Sequence, residues 1–268
     1  MSYKYTDEKK KHLHTLNDKP LIGTSSVLSV VAKPLTWWAS GLACEKFGWL
    51  SDKKHTPEAV KLALEEGYNR VTSLSLDDYD KLLKEAYKAH SVKLDDSAQS
   101  GTDMHEELEK YVKLMISDQD GIPMLMNGYE HKAVEVFAKW SVENVEKFLW
   151  SEAHVYSEKM WTGGITDCGA KLKTGQVGII DFKSSKEAYV SQFWQCAGYA
   201  LQIEENGLFD ADGKQLMKVT EPIDFYVIVP FGADNPEPVF DFNVSIAKEA
   251  FLAALTLYKI TNNTKIDK

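Results

Sequence analysis

Two β-rich segments, residues 165–172 and 177–182, flank the turn Lys173-Thr174-Gly175-Gln176. No other feature of the chain limits its fold as much. Runs of branched and aromatic residues broken by a short glycine-containing turn read as an antiparallel hairpin. Centring the hairpin on that turn sets its register: residues whose numbers sum to about 348 face each other. Side chains alternate along a strand, so Asp181 and Lys183 share a face while Ile180 and Phe182 take the other. In that register Asp167 lies opposite Asp181.

The remaining elements are arranged around this hairpin. Residues 1–20 are polar and read as a solvated, fraying lead-in. A helical half follows. Ser25-Ser26 cap a short helix through Val31, and Pro34 opens another carrying Trp37, Trp38, Leu42 and Phe47. Thr56-Pro57-Glu58 start a helix toward Glu66, and residues 75–78 start one toward Ala89. Thr102-Asp103 start an amphipathic helix with Leu108, Tyr111, Val112 and Met115 at helical spacing, and a further helix spans about 129–147. The pattern turns to strand around 150–156, ahead of the hairpin. A helix over about 189–204, strands over 223–229 and 239–242, and a helix from Ser245 through Tyr258 complete the order. Leu208 to Gly213 faintly resembles a calcium loop but lacks the terminal glutamate, and reads as a hairpin or loop. The expected class is α/β, with a helical N-terminal region over 1–99 and a core over 100–268.

Composition narrows the function. Of the 268 residues only three are cysteines (Cys44, Cys168 and Cys196), with no CxxC pair, so a disulfide framework and a zinc knuckle are both unexpected. The chain opens on a charged stretch with no apolar signal run, and no segment has the apolar length of a membrane span. A reducing cytoplasmic setting is the expectation. The net charge of −9 argues against a simple basic nucleic-acid coat. It is compatible with acidic residues holding a divalent cation.

The chemistry sits in Gly164-Ile165-Thr166-Asp167 and Asp181-Phe182-Lys183-Ser184. Aspartate and lysine are poor strand formers, so their place in an apolar strand asks for a reason. Two carboxylates suit Mg²⁺ or Mn²⁺, with the Phe182 carbonyl as a further oxygen ligand. Lys183 could orient an attacking water or stabilise a charged transition state. The competing reading, solvated strand-face charges, carries equal weight on these residues alone. Downstream, Gln192, Gln195 and Tyr199 fall on one helical face and offer donors to a phosphate or base. Upstream, His105 stands in the first turn of its expected helix, where an anion or metal would be favoured.

Taken in order, Gly101-Thr102-Asp103-Met104-His105, Glu152, Gly164-Ile165-Thr166-Asp167, Asp181-Phe182-Lys183 and Gln195 through Tyr199 resemble the RecB-like branch of the PD-(D/E)XK nuclease superfamily. The resemblance covers roughly residues 100–205. It extends more loosely to Gly23 through Ser29 and the tryptophan helix, which are similar to the N-terminal region of phage-type exonucleases. It implies a restriction-endonuclease-like core, a mixed sheet flanked by helices, and Mg²⁺- or Mn²⁺-dependent DNA hydrolysis, exonucleolytic rather than endonucleolytic. Asp167 and Asp181 would be metal ligands, His105 a ligand or orienting group, Lys183 the catalytic lysine and Glu152 a second-metal ligand or base. Gln195, Tyr199, Gln192 and Ser184 would serve the substrate. DNA would be the partner, with a recombination or single-strand-binding protein as a second partner class and no membrane. Relatives carrying an iron–sulfur cluster use four cysteines, three of them near the C-terminus, so no cluster is expected here.

Two alternatives stand beside this reading: a catalytically silent DNA-binding protein on the same fold, and a metal-dependent hydrolase of small phosphoesters. Other signals fall away. His105-Glu106 begins a zinc-protease motif, but Glu109 stands where its second histidine belongs. Trp37 and Trp38 could stack on bases, yet core packing is the stronger expectation.

Overall fold

The polar opening of the chain folds into strands. The computed structural model describes residues 2–8, 11–32, 35–117, 132–233 and 235–263. In it β1 (Tyr3–Glu8) and β2 (Lys11–Leu16) form an antiparallel hairpin, and β3 (Lys19–Pro20) extends it. The lead-in expected over 1–20 is thereby corrected. Tyr3 faces Leu16 and Tyr5 faces His14, so one side of the hairpin is aromatic and imidazole. Tyr3, His14 and Leu16 are buried, and Tyr3 and Leu16 pack with Leu21, Tyr156 and Phe209. The Tyr3 hydroxyl lies 2.6 Å from His14 Nδ1 and 3.2 Å from His154 Nδ1. Because these polar atoms satisfy one another, a tract that reads as hydrophilic makes a core.

After β4 (Ile22–Gly23) come α1 (Thr24–Val27) and a 3₁₀ turn over Leu28–Val31. Gly23 occupies the N-cap without a side-chain bond, so the cap expected from Ser25-Ser26 is not made. Pro34 lies outside the described residues. The helix it was expected to open is α2 (Thr36–Glu45), and none of its residues is buried. Trp37 is 90% exposed and Trp38 37%, which corrects the core-packing expectation. Next is α3 (Pro57–Thr72), where the Thr56 hydroxyl accepts from Ala59 N–H at 3.3 Å and Pro57 fills the first turn.

Where the sequence suggests two helices, to Ala89 and from Thr102, a single helix α4 runs Leu76–Ser117. No proline divides it, and one mid-helix glycine, Gly101, costs only about 1 kcal/mol. His105 is therefore mid-helix, and its expected first-turn position is corrected. The helix α5 (Lys132–Asn144) follows; residues 129–131 of the expected helix lie outside the described residues.

The remaining elements are β5 (Val145–Ser157), β6 (Thr162–Leu172), β7 (Val177–Lys183), α6 (Val190–Asn206), β8 (Leu208–Phe209), β9 (Gln215–Met217), β10 (Phe225–Pro230), β11 (Val239–Asp241) and α7 (Val244–Asn263). The main sheet has the order β11-β10-β7-β6-β5-β8-β9, with β4 alongside the start of β6. The β7–β10 and β4–β6 pairs are parallel and the others antiparallel, so the sheet is mixed. One face carries α6, α7 and the 24–31 segment over Val155, Ile179, Tyr226 and Ile228. The other carries α5 and the Leu108–Val112 part of α4 over Phe148, Ile180, Phe182 and Val227. The architecture is α/β, a mixed sheet flanked by helices.

Contacts divide the chain into two units, residues 1–32 with 101–268, and residues 33–100. The N-terminal hairpin and α1 thus belong with the sheet and not with a helical region spanning 1–99. The cause is pairing: β4 meets β6 at Ile22↔Thr162 and Gly23↔Gly163. Among the described residues no single helix is long and apolar enough to cross a membrane.

Candidate functional site

The β6–β7 hairpin turns through Gly175, whose φ of +92° lies in the region glycine favours. Its register pairs Cys168↔Ile180, Gly169↔Ile179 and Ala170↔Gly178, as centring on the turn requires. Beyond Cys168 the backbone ladder stops. There Asp167 Oδ2 accepts the Phe182 N–H at 2.6 Å, so a carboxylate takes the place of a main-chain acceptor. This single bond ties the side chain of one strand to the backbone of the next. It also places Asp167 close to Asp181 and Lys183.

On the other side of β6, strand β5 is irregular at the same level. Glu152 has φ +47°, and Trp150 and Ala153, three residues apart, join the same core cluster. In a regular strand residues an odd number apart point to opposite faces, so alternation is broken around Glu152. From α4, His105 reaches this point. Its Nε2 lies 3.2 Å from Asp167 Oδ2 and its Nδ1 3.7 Å from Glu152 Oε1. The Phe182 ring meets the imidazole edge-on at 5.7 Å. His105, Glu152 and Asp167 offer ligand atoms all within 4.8 Å of one another. At Gly101 α4 runs close to the end of β7: a Cβ there would stand 3.2 Å from Ser184 Cβ, a tight contact that a small shift relieves.

Asp181 is 1% exposed, and its Oδ2 lies 2.5 Å from Lys183 Nζ. Its Oδ1 has no hydrogen-bond partner among the described residues, nor do the buried Glu152 Oε1, Ser151 Oγ and Thr166 Oγ1. Native interiors rarely leave buried acceptors unpaired. Several at one level of one sheet mark a place where an additional group would satisfy them.

The charges press on one another. Burial, then repulsion by Asp167, lift the Glu152 carboxyl to about 7, against the pull of His105. Burial likewise lifts Asp181 to about 6, although Lys183 opposes it. Burial disfavours charge on His105, but the hydrogen bond to Asp167 and the carboxylates of Asp167, Glu152 and Asp181 prevail and hold its imidazolium to about 9. Asp167 stays below the usual carboxylate range because His105, Lys183 and the Phe182 N–H outweigh its burial. Lys183 keeps its proton for the same kind of reason: Asp181 and Asp167 overcome its desolvation. Three carboxylates therefore share one lysine and one histidine, and two of the three sit well above their ordinary range.

Beneath this group lies α6. Tyr199 is buried, and its hydroxyl accepts from Gln195 Nε2 at 2.6 Å. Gly164 makes room for the ring, since a Cβ there would meet Tyr199 Cε1 at 2.7 Å. A cavity lined by His12, His14, Thr24, Ser26, Gly164 and Tyr199 opens beside it. Gln192, expected to serve a substrate, is engaged internally: its Oε1 accepts the Tyr189 N–H at 2.8 Å and its Nε2 donates to Ser185 Oγ at 3.2 Å. Ser184 is exposed at the end of β7.

No protein-family model matches the chain, and no curated protein matches it. The site is thus read from its own geometry. That geometry gathers His105, Glu152, Asp167, Asp181 and Lys183, and places Tyr199 and Gln195 just below. It also uses a network absent from the sequence reading. Gln202 donates to Thr162 Oγ1 at 2.7 Å and to Thr24 Oγ1 at 2.8 Å, and Thr24 donates to the Gly163 carbonyl at 3.1 Å. The one sequence signal for it is Thr24 within the Gly23–Ser29 resemblance.

Proposed function

We propose that the chain is a Mg²⁺- or Mn²⁺-dependent DNA nuclease of the RecB-like PD-(D/E)XK type, built on a restriction-endonuclease-like core and acting at DNA ends. One observation carries the reading. The acid-x-lysine strand β7 and Asp167 of β6 converge with Glu152 and His105 at one point of the sheet, where buried carboxylate oxygens have no partner among the described residues.

The donor set fits a hard divalent cation: carboxylates, an imidazole and a nearby peptide carbonyl. Asp167, Glu152, Asp181 and His105 would hold it, and the ion would supply charge neutralisation at a phosphate oxygen and a more acidic bound water. Lys183 stays cationic and is held by Asp181. It therefore presents fixed positive charge where negative charge grows on a phosphoryl group. Asp167 is anchored through Phe182 N–H, which fixes its free oxygen without help from solvent. Tyr199 and Gln195 form a packed floor under Lys183 and Asp181. The cavity beside Tyr199 gives a polymeric substrate room to continue past the reacting bond.

The test uses linear DNA labelled at either end, single- and double-stranded, with Mg²⁺, Mn²⁺ or EDTA, for wild type, Asp181→Asn and Lys183→Ala. Metal-dependent degradation lost in both variants is expected, and the order of label release gives the polarity. No cleavage of DNA by folded wild type, with turnover of a small model phosphodiester, would replace this reading by the small-phosphoester one.

A further inference from the structure

The cavity beside Tyr199 has a chemistry of its own. It measures about 320 Å³, at the lower end of the range for ligand sites. Its floor is closed, because His14, Thr24 and Tyr199 are only 6%, 1% and 5% exposed. At its rim stand His12, Ser25 and Ser26. The buried donor in it is His14. Its Nδ1 lies 2.6 Å from the Tyr3 hydroxyl, and that hydroxyl lies 3.2 Å from His154 Nδ1. The shorter contact suits an O–H donating to His14, the longer one an N–H donating from His154. His14 then carries its proton on Nε2, which has no partner among the described residues although the ring is buried.

The rim adds a held aromatic plane. The His12 imidazole stacks on Tyr5 at 6.1 Å and 9°, and its Nδ1 lies 2.5 Å from the Tyr5 hydroxyl. Flat rings of this kind accept a nucleobase whatever its sequence. Fixed charge is missing: among the described residues no lysine, arginine or carboxylate lines the cavity. Burial, His154 and His12 also keep His14 neutral. A phosphate brings nearly two negative charges and would enter unpaired. A nucleobase with its sugar is uncharged, has a flat face and offers acceptors to His14 and the serines. The cavity also adjoins the metal site. Tyr199 belongs to both, since Asp181, Lys183 and Asp167 act on its hydroxyl. Gly164 precedes Asp167 by three residues of β6, about 10 Å.

We infer that this cavity seats the terminal nucleoside of the DNA strand, so that the protein takes ends carrying a free hydroxyl and discriminates against ends carrying a phosphate. The assignment to DNA rests on the nuclease reading; the seat for an uncharged nucleoside rests on the cavity itself. The closed floor stops the strand there, and the phosphodiester joining that nucleoside to the rest of the strand then lies toward Asp167.

Two measurements test it. In EDTA, saturation-transfer NMR compares thymidine and deoxyadenosine with their 5′- and 3′-monophosphates at millimolar concentration. The full-length wild type is expected to bind the nucleosides, and the monophosphates on the order of tenfold more weakly. Ser26→Phe fills the cavity from its exposed rim and should abolish nucleoside binding with the thermal melt unchanged. With Mg²⁺ or Mn²⁺, end-labelled DNA with hydroxyl ends should be degraded on the order of tenfold faster than the same strand carrying a phosphate at the attacked end, and Ser26→Phe should level the two. A wild type that binds no nucleoside, nucleoside binding that survives Ser26→Phe, or phosphate ends degraded as fast as hydroxyl ends overturns the inference. Nucleoside binding as expected with every DNA left intact sinks the nuclease reading and leaves the nucleoside seat standing, so the two failures are told apart.

Discussion

Metal binding should release a countable number of protons, and that number reports whether His105 is a ligand. In the metal-free protein the imidazole holds its proton to about 9, Glu152 to about 7 and Asp181 to about 6. A cation held by all three must displace whatever protons they carry. At pH 7 that is about 1.6 protons per ion, falling to about 1.0 at pH 8. Affinity should then rise about 20-fold between pH 7 and pH 8, since each displaced proton links binding to pH. If His105 stays protonated and only orients Asp167, the release is about 0.6 proton at pH 7 and about 0.1 at pH 8, and affinity rises only about twofold. Calorimetric titration of Mn²⁺ in two buffers of different ionisation enthalpy measures the release directly. Glu152→Gln should remove about half a proton of it at pH 7. Binding with no proton release at pH 7 and no change in affinity to pH 8 would refute the argument, because neither raised carboxyl would then be a ligand.

Three further outcomes follow from the same coordinates. Burial and the neighbouring His154 and His12 hold His14 down to about 4, against 6.5 in the unfolded chain, so it is neutral when folded. Its contribution to stability is complete above about pH 6.5 and is lost as pH falls toward 4, by about 3 kcal/mol in all, and melts of the wild type should fall across that window more steeply than those of His14→Gln. Gly101→Ala improves helix propensity by about 1 kcal/mol but sets a Cβ against Ser184, so the melt should hold while turnover drops as α4 backs away with His105; unchanged turnover would count against α4 positioning the site. Glu152→Gly relieves a left-handed backbone costing about 1–2 kcal/mol and removes a buried carboxylate, so the metal-free protein should melt higher while Mn²⁺ affinity falls; a lower melt would show that Glu152 is not strained.

The hairpin was legible because its signals agree. Apolar runs, a glycine turn and period-two alternation all specify one register, which runs to Cys168↔Ile180 and brings Asp167 to the neighbourhood of Asp181. Residues 3–16 were not, since their core is made of tyrosine and histidine, whose polar atoms pair only across the fold: Tyr3 meets His154, 151 residues away. The continuity of α4 is hidden in the sequence for a different reason. A glycine next to Thr102-Asp103 looks like a stop followed by a cap, yet the helix runs through it, and Gly101 lies close to Ser184 of a distant segment. The same stop-and-cap pattern suggests a helix start at His105, which lies mid-helix. Its position over Asp167 comes from tertiary packing and not from a helix terminus.

Glu152 was legible only by resemblance, and its surroundings say why it is there. A non-glycine residue with positive φ in mid-strand, unpaired buried oxygens on Ser151, Glu152, Thr166 and Asp181, and two carboxyls lifted toward neutrality are each unfavourable. Independent defects of a fold would be scattered. Among the described residues the Glu152 and Asp181 oxygens lie on neighbouring parts of the sheet, and a bound cation held by them would pair both oxygens and ionise both carboxyls. Local inconsistency concentrated in this way is what a site looks like when stability has been yielded to binding. The regular part of the hairpin, Cys168 to Lys171 against Val177 to Ile180, supplies the rigidity that keeps the irregular end from relaxing.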